Sequence, residues 1–155
     1  MPGLPVKGCG LRSPPVPGAP ADVVRKVRLF ADLDAREIER IALAFKERSF
    51  KAGETVIREG SGGAAFYIIE SGEVSVTIGG EPRATLGPGG YFGEIALIDE
   101  GARIATCTAV TDLATWGLTL WEFKPLVEEN GVIGWKLLQT LARELRDAEH
   151  ALASR

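Results

Sequence analysis

The stretch FGEIALIDEGARIAT, Phe92 to Thr106, decides how this chain is read. It sets a Gly-Glu pair, one helical turn of apolar residues and a lone arginine into a region that otherwise reads as strand and turn. The glycines of GPGGYFGEIAL let the backbone approach a ligand closely. A helical turn that begins near Gly93 or Glu94 leaves its first N–H groups without internal partners, and free N–H groups at a helix start attract anions. Arg103, at the entry to the next strand, offers a planar fork of donors that suits phosphate oxygens better than lysine does. A carboxylate there repels the anion unless it faces a donor, and a sugar hydroxyl is such a donor for Glu94. An anion, a hydroxyl and an apolar wall together describe a nucleotide-like ligand. The plainer alternative, an internal Glu94–Arg103 ion pair stapling the short helix to the strand, leaves the Gly-Gly approach unexplained.

Outward from this stretch, short apolar runs punctuated by glycine read as strands joined by tight turns. AFYIIESGEVSVTIGG reads as a hairpin with arms Phe66 to Glu70 and Val74 to Ile78, folded at Ser71, Gly72 and Glu73. Pro82 to Leu86 extends the meander, and ATCTAVTDLATWGLTL adds two strands about a turn at Thr111 and Asp112. Evenly spaced antiparallel strands predict a mainly β fold, a jelly-roll β-barrel over 47–118. Helices are expected over 21–46, where Asp34 and Glu37 form a capping-box pattern and Ile38, Ile41, Ala42 and Phe45 make one apolar stripe. Two more helices are expected over 119–153, Leu120 to Glu129 and a long one after a break at Asn130 and Gly131. On the long helix Leu138, Leu141, Leu145, Ala148 and Leu152 fall at alternating spacings of three and four. That seam is open to two readings, packing on the β-roll of the same chain and a homodimer through the C-terminal helix. Residues 1–20, rich in proline and glycine, are expected to form a disordered tail ahead of a single domain over 21–155.

With 155 residues, 45% hydrophobic and 25% charged, the chain suits one globular domain. A formal charge of -3 gives no pull toward nucleic acid or anionic lipid, and Arg25, Lys26 and Arg28 read as a solvated helix face. Two cysteines, Cys9 and Cys107, fit a reducing cytoplasm better than a disulfide framework. The amino terminus lacks the apolar core of a signal peptide, and no run is long enough to span a bilayer, so a cytoplasmic protein without a membrane partner is expected. His150 is the only histidine, which leaves the chain unable to assemble the multi-histidine metal centre of jelly-roll enzymes. Neither a nucleophile elbow nor a Walker loop is present, so no catalysis and no metal or other cofactor are expected.

The cassette FGEIALIDEGARIAT resembles the phosphate-binding cassette of the cyclic nucleotide-binding domain family. LFADLDAREIERIA is similar to that family's amino-terminal helical motif, FKAGETVIREGSGGAAFYIIESGEVSV to its first strands, and the closing helices to its B and C helices. The resemblance runs from about Val27 to His150. It implies a regulatory sensor domain for a cyclic nucleotide. It assigns the ribose 2′-hydroxyl to Glu94, the exocyclic phosphate oxygens to Arg103, and a cradle of backbone N–H groups to Gly93, Ile95, Ala96 and Ala105. Ile104 stands where the family often has Ala, Ser or Thr, and its lack of a hydroxyl argues for cAMP over cGMP as the ligand. The closing helices would move as a lid, with Trp135 a candidate cap for the purine and an unidentified protein effector downstream. The C-terminal helices carry no recognition-helix pattern, so direct DNA binding is not expected. The alternative is a degenerate member whose pocket is blocked by Ile104 and whose fold serves protein–protein contact.

Overall fold

A computed structural model of the chain describes residues 18–62, 65–99 and 101–154. The amino-terminal part comprises α1 (Ala21–Arg25), a 3-10 turn (Arg28–Phe30) and α2 (Ala35–Ala42). At the start of α2 the expected capping box is formed: the Glu37 N–H donates to Asp34 Oδ1 at 2.9 Å, and the Asp34 N–H donates to Glu37 Oε1 at 2.9 Å. The helix ends at Ala42 and β1 already begins at Lys46, so helix covers less of 21–46 than the apolar stripe suggested. Of the expected tail, residues 1–17 lie outside the described residues. Its last part is not free, because the Ala19 N–H donates to the Ala42 carbonyl at 2.9 Å.

Eight strands follow, and every pairing between them is antiparallel. They form a jelly roll of two four-stranded sheets. One holds β1 (Lys46–Phe50), β8 (Leu113–Thr119), β3 (Ala65–Ser71) and β6 (Tyr91–Phe92), in that order; the other holds β2 (Thr55–Ile57), β7 (Thr106–Ala109), β4 (Val74–Ile78) and β5 (Glu81–Leu86). The expected hairpin of 66–70 with 74–78 is therefore corrected: β3 and β4 belong to different sheets, and the chain crosses from one to the other at Gly72. A second crossing, between β7 and β8, lies against the first. There the Val110 N–H donates to the Glu73 carbonyl at 2.9 Å and the Glu73 N–H donates to Thr111 Oγ1 at 3.1 Å. Gly72 has φ 97°, and a Cβ on it would collide with the Asp112 carbonyl oxygen. This packing of two corners is what a hairpin could not satisfy. The pairing that is local in sequence is β4 with β5, closed by Gly79 and Gly80 at φ 60° and 83°.

Two apolar clusters fill the domain. One joins the amino-terminal helices, through Leu29, Phe30, Ile38, Ile41 and Phe45, to Phe66 and Leu118 of the roll and to Phe123, Ile133 and Leu137 behind it. The other fills the roll, with Ile57, Ile69, Val74, Phe92, Cys107, Ala109 and Leu113. After β8 come α3 (Leu120–Glu129) and α4 (Gly131–Ala153), with the break at Asn130. Thr119 enters α3 with its N–H donating to Glu122 Oε1 at 3.1 Å. On α4, Ile133, Leu137 and Thr140 are buried, whereas Leu138, Leu145 and Leu152 are 59%, 63% and 65% exposed. Of the leucine seam, Leu141 is partly buried against the core, whereas Leu138, Leu145 and Leu152 face outward. Trp121, which reads from sequence as core or hinge, is 76% exposed on the outer side of α3.

The corner geometry makes Gly72→Ala costly, by about 2–3 kcal/mol, through positive φ and a backbone clash together. Gly79→Ala, where the added methyl meets nothing within 4 Å, should cost only the conformational part, about 1 kcal/mol. Urea unfolding of the two variants checks this, and equal losses would contradict the stacked-corner account.

Candidate functional site

The candidate site is held between the two sheets by a local zipper. The Arg103 N–H donates to the Ser61 carbonyl at 3.0 Å, its carbonyl accepts from the Gly60 N–H at 2.8 Å, and the Glu59 N–H donates to Thr106 Oγ1 at 3.0 Å. The backbone on both sides of the arginine is thereby fixed, and the Thr106 hydroxyl is spent on structure. The Arg103 side chain then reaches over Gly93, where Nη2 donates to the Ala65 carbonyl at 2.7 Å. Gly93 has φ 87°, and a Cβ on it would come within 2.8 Å of the Ala65 oxygen and 2.9 Å of Arg103 Nη1. Glycine here supplies both the left-handed turn into the next element and the room for the guanidinium.

From Gly93 the chain enters a single 3-10 turn, Glu94–Leu97, as the apolar run after the Gly-Glu pair led one to expect. Its closure engages one of the N–H groups expected in the cradle. The Ala96 N–H donates to the Gly93 carbonyl at 3.1 Å, because a 3-10 turn consumes the N–H three residues after its first carbonyl. The Ala96 N–H is thus engaged within the turn, and Ala96 itself is buried in the cavity border.

A cavity of about 400 Å³ opens here, bordered by Gly93, Glu94, Ile95, Ala96, Arg103, Ile104 and Ala105. This lies within the range of about 300–1,000 Å³ common for small-molecule sites. All seven residues singled out in the sequence meet at one place. Sequence reading missed the strand wall, Ile57, Val76, Leu86, Tyr91, Phe92 and Cys107, one or two from each of five strands, and the loop residues Asp99, Gly101 and Ala102 that complete the border. The signal available for the strand positions was the alternation of each strand, which marks an inward face without saying what it faces. Ile104 is 79% exposed, so its side chain stands at the cavity's mouth. Trp135 is 63% exposed and borders a different, apolar groove of about 550 Å³ with Leu97, Ile98, Phe123 and Leu138. As a cap over the cavity it is out of place here, since the described border contains no residue of α3 or α4.

Among the described residues, no ion pair includes Glu94 or Arg103, so the staple between them is absent. Burial pulls the Arg103 guanidinium below its ordinary pKa, with the nearby Tyr67 and Cys107 acting weakly the other way. Burial pushes the Glu94 carboxyl up, its own backbone N–H is the main opposing influence, and Glu144 and Arg28 act more weakly in opposite senses. Burial also pushes the Cys107 thiol up to about 11, which leaves it an unreactive part of the wall. Among the described residues the site therefore holds a cation without a carboxylate partner, a carboxyl that resists ionisation, and a largely apolar wall. No group of three or more potential metal-ligating side chains occurs among the described residues.

Against this geometry, comparison with known proteins is direct. A family model described as the cyclic nucleotide-binding domain matches residues 47–130, more than half of the chain. The chain belongs to that family. It is 34% identical over 126 residues to the Cyclic AMP receptor protein of Thermus thermophilus, a match covering 78% of this chain and 58% of that one. This family domain is therefore shorter than the relative it matches. Its fold superposes with a TM-score of 0.77 on the N-terminal domain of a transcriptional regulator from Streptomyces coelicolor, at 30% identity and over 84% of this chain and 96% of that one. It superposes with a TM-score of 0.62 on the regulatory domain of Toxoplasma gondii PKA solved with cAMP, at 35% identity and over 70% of this chain and 43% of that one. No helix among the described residues is long and apolar enough to cross a membrane.

The raised Glu94 carboxyl carries a stability consequence. The unfolded chain ionises at the ordinary value of 4.5, so the folded one loses stability as pH rises through and beyond that value. Glu94→Gln removes this cost. Its ligand-free melting temperature should exceed that of the parent at about pH 7 and converge with it as the pH falls toward about 4, where both states hold the proton. A constant difference across the range would contradict the burial of this carboxyl.

Proposed function

We propose that this domain is a regulatory sensor that binds a cyclic nucleotide, cAMP in preference to cGMP, in the cavity beneath Arg103. The observation that carries the reading is the half-buried guanidinium set over Gly93 at the edge of a largely apolar cavity, with no ion pair to a carboxylate among the described residues. A phosphate supplies the missing charge and accepts donors from a fork held in place in advance. Glu94 accepts from the ribose 2′-hydroxyl, the N–H groups of Gly93, Ile95 and Ala105 complete the phosphate cradle, and the apolar strand positions take the rest of the ligand. Ile104, an alkyl side chain at the mouth, has no hydroxyl to reward the guanine amino group. The receptor-type relative and the cAMP-bound structural neighbour support the same ligand class and a regulatory role. No catalytic step is assigned to any residue.

The 3-10 turn gives binding a route to the helices. Glu94, Ile95 and Ala96 border the cavity, while Leu97 and Ile98 border the apolar groove beside α3 and α4. A phosphate that draws the cassette inward repacks that groove, lets α3 swing and brings α4 toward the cavity as a lid. The output is a changed helical surface offered to a protein effector, on the condition that the ligand prefers the closed arrangement.

Titration calorimetry tests the ligand. cAMP should bind the parent with a saturable heat, 5′-AMP and cGMP more weakly, and Arg103→Ala should lose at least about thirtyfold in cAMP affinity, near 2 kcal/mol. No heat with either cyclic nucleotide would favour the degenerate, interaction-module reading.

A second copy of the chain is proposed as a partner because of one observation, the exposed Leu138, Leu145 and Leu152 at seven-residue spacing. Past Glu144 every described residue of α4 is exposed, so the helix projects from the domain. Sedimentation should find a dimer in the parent that Leu145→Lys dissociates; a monomeric parent at high micromolar concentration would rule this interface out.

A further inference from the structure

Helix α4 is not simply left beside the domain, because one of its faces is tied down by three polar rungs. Lys136, Thr140, Arg143 and Glu144 fall at spacings of four, three and one, which places them on one side of the helix next to the buried Ile133 and Leu137. All of their partners lie in the short amino-terminal segment between Arg28 and Glu37. Lys136 Nζ meets Glu37 Oε1 at 2.8 Å and Asp34 Oδ2 at 3.9 Å. Asp32 accepts from the Thr140 hydroxyl at 2.8 Å and from Arg143 Nη2 at 2.6 Å. Glu144 meets Arg28 Nη2 at 3.7 Å. The charges change sense at the end of the ladder, with Lys136 and Arg143 facing carboxylates and Glu144 facing an arginine, so a shift of α4 along the segment would set like charges against each other.

The centre of the ladder is better built than a surface ion pair. Thr140 is buried and the Asp32 side chain is 28% exposed against 55% for Arg143, and what sets the contact apart is that the two Asp32 oxygens between them accept three donor contacts. Glu37 both caps α2 and receives Lys136, so breaking that rung disturbs a helix start as well. At the far end, the rung touches the cavity. The Arg28 N–H donates to the Tyr91 hydroxyl at 3.2 Å, and Tyr91 borders the cavity. Glu144 and Arg28 are also the two charges that act on the Glu94 carboxyl.

From this arrangement we infer that the ladder of Lys136, Thr140, Arg143 and Glu144 against Arg28, Asp32, Asp34 and Glu37 is a latch that holds α4 off the cavity. Docking of α4 over a bound ligand must break it. The latch therefore opposes ligand binding and sets the affinity, a step that rests on the proposed cyclic-nucleotide reading. A ligand shifts the helix only by as much as it prefers the docked arrangement, so each rung adds to what the ligand must overcome.

The experiment uses the full chain with Asp32→Asn, which keeps an acceptor for Thr140 and removes the charge, and separately Arg143→Gln. Hydrogen exchange of the α4 amides is measured without ligand, and affinity is measured with cAMP and cGMP. The expected result is faster exchange across 136–144, a lower melting temperature, and cAMP affinity raised by about fivefold in each variant. Stability and affinity then move in opposite directions, whereas a merely structural role would lower both. Unchanged or weaker affinity alongside faster exchange would overturn the inference, as would unchanged exchange in both variants. If neither the parent nor the variants bind a cyclic nucleotide while exchange rises, the latch holds α4 as inferred, and it is the ligand reading that fails.

Discussion

The structure turns on one buried contact, the Arg103 guanidinium lying over Gly93 with its donor on the Ala65 carbonyl. Taking a cation partly out of water carries a penalty that a neutral carbonyl offsets only in part. The chain accepts this penalty and then fixes the arginine on both sides through the Gly60–Ser61 turn. It leaves the same residue unable to find a carboxylate among the described residues. Stability alone would favour an acid at this place, or an apolar residue. A preorganised cation facing an apolar cavity is instead suited to an anion that carries an apolar body.

Much else in the fold serves to hold that contact. The chain changes sheet six times, two of the changes, at Gly72 and between β7 and β8, stack on each other, and pairing of β7 with β2 sets the strand that follows Arg103 in place. The cassette then sits between two apolar spaces with opposite neighbours. Its first residues border the cavity, and Leu97 and Ile98 border the groove under α3 and α4. A small movement of one short turn is thereby felt on both sides, which is how a packed core passes a local change to a helix without a flexible linker.

The parts legible in the sequence were those written locally. The capping box of Asp34 and Glu37 sits within four residues and formed as read, and Gly93, Glu94 and Arg103, within one eleven-residue stretch, border one cavity. Pairing was less legible. Strand alternation marked β3 and β4, but the turn at Gly72 looked like a hairpin because its true partners, Thr111 to Leu113, lie some forty residues on. The cavity wall escaped for the same reason, since Ile57, Val76, Leu86 and Cys107 come from four separate strands. On α4 the leucines read as a seam and the charges as its flanks. The charges instead reach Asp32 and Glu37, about a hundred residues away, which no helical period could reveal. Ile104 read as an obstruction from its bulk, and its exposed side chain stands among the residues that border the cavity.

The central claim is that the Arg103 guanidinium is the anion anchor, and the most direct measurement is its side-chain ¹⁵N–¹H resonance during titration with cAMP. The account predicts a saturable shift of the Arg103 signal and slower solvent exchange of its protons, with adenosine, which lacks the phosphate, leaving the signal in place. A signal that cAMP does not move, while cAMP binds elsewhere on the chain or not at all, would contradict it.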